Sequence, residues 1–259
     1  MQIGFFELFS LPIRYRSLIT QLVRREITAR TSGTWLGGFW LFCQPALQVF
    51  ALWFLFDQVL KVRALGQVPY LDYFFAAILP WMLIQDVLSR VLQVLTEYAP
   101  LYQRTPFPLK VLPLLPLILG GLIYTPIFIL TMGLQHGISG MCEALWLSLG
   151  LLVGLLPACY LLALMGLFIR SSRQLFPFLL TFLMYVSPIL YQPEALPEPL
   201  KNWIFLNPIA DVIAIIQSRV NGLVLRDAEW LTPLLLWILL LPIAGALFSK
   251  AESLVREEL

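Results

Sequence analysis

The chain has 259 residues, of which 59% are apolar and 12% charged, and its mean hydropathy is +0.83. A soluble domain averages about 45–50% apolar and about 25% charged residues, so this composition excludes an ordinary soluble protein and points to a bilayer. The formal net charge of +2 is too small to suggest nucleic acid; where the Lys and Arg residues sit matters more than their sum.

Residues 1 to 35 carry Arg14, Arg16, Arg24, Arg25 and Arg30 without an uninterrupted apolar stretch or a small-residue cleavage site, so a cleavable signal peptide is not expected. From Leu11 to Arg30 the apolar residues Tyr15, Leu18, Ile19, Leu22, Val23 and Ile27 recur at helical spacing, with Arg14, Arg16, Ser17, Thr20, Gln21, Arg24, Arg25 and Thr28 between them. The pattern predicts a basic amphipathic helix. Five arginines forbid its burial in hydrocarbon, so it is expected to lie on the anionic cytoplasmic leaflet, the alternative being a soluble surface helix.

Six apolar segments follow, at about 36–60, 71–95, 111–134, 144–169, 174–191 and 231–249, each about long enough to cross and the fifth only just. With the amino terminus inside, eleven Lys and Arg fall on the cytoplasmic side: Arg14, Arg16, Arg24, Arg25, Arg30, Arg104, Lys110, Arg170, Arg173, Lys250 and Arg256. Five fall outside, at Lys61, Arg63, Lys201, Arg219 and Arg226. That asymmetry favours both termini in the cytoplasm. Pro45, Pro80, Pro113, Pro116, Pro126, Pro157, Pro188 and Pro242 lie in or at the ends of the segments and imply kinks that a membrane bundle tolerates. Gly33 with Gly37, and Gly150 with Gly154, match a spacing that permits close helix approach.

After the fifth segment, Asn207 can cap a helix with Pro208 at its first position, Ile209, Val212, Ile213, Ile216 and Val220 form its apolar stripe, and Gly222 can end it. A pair of short re-entrant or interfacial helices on the outer side, at about 197–206 and 208–220, accounts for a connection too apolar to be a plain loop.

No catalytic constellation is visible. His136 is the single histidine, expected in an outer loop; Cys43, Cys142 and Cys159 are isolated; and there is no glycine-rich phosphate loop, so ATP hydrolysis through such a loop is not expected of this chain. No catalytic residue, metal ligand or cofactor-binding residue is therefore assigned. Within the second segment, Asp86 and Arg90 are four residues apart on one helix face. Charge near hydrocarbon must be paired or face water, which leaves an internal ion pair or a participant in a gate or substrate path. Trp40, Gln44 and Gln48 place a ring and two amides on one face of the first segment, and Phe178, Phe182 and Tyr185 form a stripe on the fifth. Rings and amides together suit sugar, whose apolar C–H face stacks on an aromatic and whose hydroxyls meet the amides; the alternative is ordinary helix packing.

The runs LITQLVRREITARTSGTWLGGFWLFCQPALQ, LPWMLIQDVLSR, FPLKVLPL and SPILYQPEALPE with FLNP occur in this order. Together they resemble the membrane subunit of the type-2 ABC exporters that carry O-antigen, capsular polysaccharide or teichoic acid across the bacterial inner membrane. The resemblance covers nearly the whole chain. It implies an all-α polytopic protein with residues 1–35 as the interfacial helix and 36–259 as an ABC-2 type transmembrane domain, acting as a homodimer with two ATP-binding subunits that hold ATP and Mg. It further implies a coupling helix at about 96–108, including Glu97, Tyr98, Tyr102, Gln103 and Arg104, and a path lined by the first and fifth spans. Arg24, Arg25 and Arg30 would lie beside the ATPase and near the pyrophosphate of a lipid-linked substrate, a group that arginine suits. Thr31 stands where the family often has an aromatic, and Lys110 where it often has an acid. A drug or lipid exporter shares this architecture, while a secondary carrier or channel would be expected to show an internal repeat or several intramembrane carboxylates.

Overall fold

The computed structural model describes residues 5–61, 64–65, 68–102, 107–191, 193, 196–197, 204, 207–223 and 231–258. The helices are α1 (Phe5–Arg14), α2 (Arg16–Thr31), α3 (Trp40–Trp53), α4 (Tyr70–Glu97), α5 (Ala99–Tyr102), α6 (Leu114–Phe168), α7 (Ser172–Val186), α8 (Pro208–Asn221) and α9 (Leu231–Glu258). A π-helical turn, Phe54–Val59, extends α3, and an antiparallel pair of two-residue strands, Ala64–Leu65 and Val68–Pro69, joins it to α4.

Among the described residues, three helical segments are long and apolar enough to cross a membrane: Gly37–Val59, Tyr70–Glu97 and Leu109–Phe168. The last joins the third and fourth expected spans into one continuous element. Gly137 breaks it, with φ 68° and ψ −152°, a conformation that costs glycine little and other residues much. A Cβ on Gly121 would meet Leu152, one on Gly133 would meet Met141, and one on Gly140 would meet the Met132 carbonyl. These pairs close around residue 137, so α6 is a helical hairpin whose arms run antiparallel. The expected outer loop around His136 is thereby replaced by a sharp helical tip, and His136 is half-buried there.

The other differences are local and have physical causes. The basic helix expected from Leu11 to Arg30 is two helices meeting at Tyr15, whose φ −109° and ψ 27° interrupt the regular turn. Its apolar face is as the spacing predicts: Ile19, Leu22 and Val23 are buried, with Tyr15, Leu18 and Ile27 packed beside them. The fifth segment stops at Val186 rather than Tyr191, because Pro188 disfavours helical geometry at Ser187, which is extended at ψ 153°. Its 15 residues cover about 22 Å, less than the hydrocarbon core of about 30 Å. Pro113 lies at the amino-terminal cap of α6, where a missing N–H costs nothing.

The core is organised around α4. It packs most extensively on α6 and also on α7 and α8, while α9 lies on α6. Most residues of α4 are buried, whereas in α3 the buried residues are Pro45 and Val49. Close approach of α4 to the second arm of α6 depends on Gly166, where a Cβ would run into the Leu92 backbone carbonyl.

At the opposite end, buried polar groups fasten α8 to α4. Asn207 caps α8 by accepting from the Ile209 N–H at 3.1 Å, and its amide donates to Ser187 Oγ at 2.8 Å. Gln217, fully buried, donates to the Tyr73 carbonyl at 2.7 Å. The Tyr73 hydroxyl donates to the carbonyls of Pro188 and Tyr191 at 2.7 and 2.8 Å. Gly222 ends α8 in the left-handed conformation at φ 66°, as its sequence position predicts. The companion helix expected at 197–206 lies largely outside the described residues.

Gly166→Ala is expected to lower stability by about 1–3 kcal/mol through overpacking against α4. Gly150→Ala, whose added Cβ meets nothing within 4 Å, is the control expected to show little change. Thermal unfolding of the purified chain in detergent reads both.

Candidate functional site

The polar residues singled out on α3 and α4 converge. Trp40, Gln44 and Gln48 from α3 line a cavity of ≈ 190 Å³ together with Asp86 and Arg90 from α4, Arg30 from the end of α2, and Tyr124 from α6. Helical periodicity aligns the three α3 residues, and the four-residue spacing of Asp86 and Arg90 turns both toward them. Arg90 Nε donates to Asp86 Oδ1 at 2.7 Å, while Asp86 Oδ2 is buried without a hydrogen-bond partner among the described residues. Gln44 and Gln48 are exposed, and the Trp40 residue is 37% exposed.

Arg30 and Arg90 also line a second cavity of ≈ 170 Å³, with Glu26, Ser89, Gln93, Glu97 and Tyr98 among its walls. Arg30 Nε donates to Glu26 Oε1 at 3.0 Å. The two guanidiniums are thus each held through Nε by a carboxylate one helical turn earlier, and both border the same pair of cavities. A guanidinium fixed in this way keeps its other N–H groups pointed in set directions, suited to oxygen-rich ligands.

The three expected arginines of the interfacial helix separate in role. Arg24 is exposed. Arg25 lies over the Tyr98 ring at 5.7 Å from its centroid, a cation–π contact. Arg30 enters the cavities.

Of the residues expected to couple to a partner, Glu97 is exposed, whereas Tyr98 and Tyr102 are buried within the chain. Tyr102 donates to the Leu95 carbonyl at 2.9 Å and so folds α5 back on the end of α4. Tyr98 donates to Glu26 Oε2 at 3.3 Å. Burial first, then the negative charge of Glu26 and the hydrogen bond to it, push the Tyr98 phenol up to about 12, so it stays a protonated donor at neutral pH. Gln103 and Arg104 lie outside the described residues.

Phe178, Phe182 and Tyr185 form the exposed face of α7, at 74%, 56% and 58%. The single chain does not bring them into the Trp40 cavity; they stand on another surface, connected to α4 by Gln85 Nε2 donating to Thr181 Oγ1 at 3.4 Å. Sequence reasoning missed Glu26 and Tyr124. Glu26 was open to discovery, because it precedes Arg30 by the same four residues that relate Asp86 to Arg90. Nothing in the local sequence distinguishes Tyr124. Lys110 sits 3.9 Å from Glu252 on α9 and so ties the start of the α6 region to the last helix.

No family model matches the chain. Curated relatives include an O-antigen export system permease protein RfbA of Myxococcus xanthus, 25% identical over 249 residues, covering 93% of this chain and 94% of the relative. Two proteins of the same description from Klebsiella pneumoniae are 23% identical over 94% of this chain and 97% of the relative, and 22% identical over 76% and 77%. The similarity therefore runs through nearly the whole length of two of these proteins, and all three names agree with the resemblance drawn from the sequence.

Tyr98→Phe removes the hydrogen bond to the Glu26 carboxylate but keeps the ring beneath Arg25, and is expected to cost about 1.5–3 kcal/mol. Tyr98→Ala removes the buried ring as well and should cost about 3–5 kcal/mol. Equal losses in unfolding of the purified chain would place the stabilisation in the hydrogen bond rather than in the ring.

Proposed function

We propose that this chain is the permease subunit of an ATP-driven exporter that carries a lipid-linked polysaccharide across the bacterial inner membrane, with six spans and both termini cytoplasmic. The observation that carries the reading is its end-to-end similarity to O-antigen export permeases. The convergence of a ring, two amides and an ion pair in one cavity of an otherwise apolar protein supports it.

Two copies of the chain would form the path. The support is physical: α3 buries Pro45 and Val49 alone within its own chain yet exposes Gln44 and Gln48, and amides exposed to hydrocarbon are costly unless another helix or water meets them. The exposed aromatic face of α7 is the other surface that a second copy would bring toward the path. Many weak ring and hydroxyl contacts let a polymer advance without being trapped, so Trp40, Gln44, Gln48, Phe178, Phe182 and Tyr185 are assigned to its lining.

ATP and Mg would be bound by two separate ATP-binding subunits. Their movement would enter through α5 and the segment to Pro108, with Glu97 an exposed contact among the described residues. Tyr98 then transmits it, because it holds α2 through Glu26 and Arg25. Arg24, Arg25 and Arg30 lie on the helix that would meet the carrier lipid's pyrophosphate.

Deletion of the chain in its native host is expected to trap lipid-linked glycan on the cytoplasmic side and to clear it from the surface, with a restored copy reversing both. Unchanged surface glycan with no internal pool would sink the polysaccharide reading. In the restored copy, Trp40→Ala and Tyr185→Ala are expected to reduce surface glycan several-fold, and full export by both would remove them from the lining.

A further inference from the structure

The cavity between α3 and α4 joins groups whose combination restricts what can occupy it. Asp86 and Arg90 stand side by side on its wall, where one carboxylate oxygen takes the Arg90 Nε bond at 2.7 Å and the other is buried with no partner among the described residues. A carboxylate has about four acceptor positions, and leaving a buried one unfilled is unfavourable. Arg30 and Arg90 border the same space as Asp86, which disfavours a cation there, and among the described residues no group of three metal-ligating side chains exists. The Asp86 carboxylate in turn disfavours a simple anion. A neutral molecule carrying neighbouring hydroxyls satisfies both halves of the ion pair, donating to the carboxylate and accepting from the guanidinium. Trp40 offers an aromatic face beside them, and Gln44 and Gln48 offer amides one and two turns further along.

We propose that this cavity is a subsite for one pyranose ring of the cargo, in which Asp86 accepts a sugar hydroxyl, Arg90 donates to a sugar oxygen and Trp40 stacks on the ring. The assignment rests on the export reading above and deepens it. Asp86 and Arg90 become cargo contacts rather than a pair that only locks α4. Because Arg30 borders the cavity and ends the basic helix α2, the subsite lies at the end of the bundle where that helix lies, the loading end if the amino terminus is cytoplasmic.

The test uses the full chain in its native host, with its partners present. Leu41 lines the cavity and has no polar role there, so Leu41→p-benzoylphenylalanine places a photo-crosslinker on the wall. Irradiation is expected to attach glycan to the chain in glycan-producing cells and not in cells unable to make it. Adding Asp86→Ala should lower the adduct about tenfold or more at equal chain abundance, the scale of one hydrogen bond to a charged group. Asp86→Ala with Arg90→Ala removes both charges and should lower it equally, which guards against an effect of stranding Arg90. If the abundance of these chains falls, Asp86→Asn, nearly isosteric, is the deciding variant and should lower the adduct as well.

An adduct unchanged in the double variant, or in Asp86→Asn where that decides, would overturn the subsite, as would capture of carrier lipid without glycan. Absence of any glycan adduct at Leu41, in a host whose deletion strain does accumulate glycan inside, overturns the subsite and leaves the export reading standing. A deletion strain with no such pool overturns both.

Discussion

The fold depends on one helix being surrounded by protein. In hydrocarbon there is little apolar gain from packing one greasy helix on another, so close van der Waals contact and internally satisfied polar groups must hold the bundle. α4 meets both demands. Gly166 lets the second arm of α6 approach its backbone, Tyr73 supplies a carbonyl to Gln217 and a hydroxyl to two carbonyls beyond α7, and Tyr98, just past its end, receives α2. Other elements pack on it directly, as α6, α7 and α8 do, or through α6, as α9 does.

The lightly packed α3 follows from the same arrangement. With α4 enclosed by α6, α7 and α8, α3 is left on the periphery, where its polar face borders a cavity instead of a core. A peripheral helix with exposed amides is a poor solution for a lone chain and a sensible one for a wall of a shared path. The enclosed part and the lightly packed part of the molecule are thereby separated, with Arg90 and Arg30 standing at their boundary.

Much of this was legible from residue order. The stripe of α2, the Asn207 cap and the Gly222 stop all follow from local rules and stand in the structure. So does the facing of Asp86 and Arg90, since four residues make about one helical turn. The parts that were not legible are set by contacts distant in sequence. Nothing near Gly137 announces that the two expected spans join without a loop, because a glycine in an apolar run looks the same whether it lies in a helix or ends one. Nor could sequence alone bring Arg30 to Arg90, as their meeting depends on how α2 lies across α4. The two aromatic stripes were read as one lining, yet in the single chain they occupy separate surfaces, and whether they face each other is a property of assembly that no local pattern encodes.

The tip at Gly137 bears on how the protein is made. From Leu114 to Phe168 the formally charged side chain is Glu143, and the one histidine, His136, lies beside the bend. A compact turn with so little charge is inexpensive to carry through the bilayer, whereas a long polar loop would have to be translocated separately. The two arms can therefore enter the membrane together as a preformed pair, already holding the close glycine contacts near Gly121, Gly133 and Gly140. Their insertion would then supply α4, synthesised just before them, with the surface on which it completes its packing.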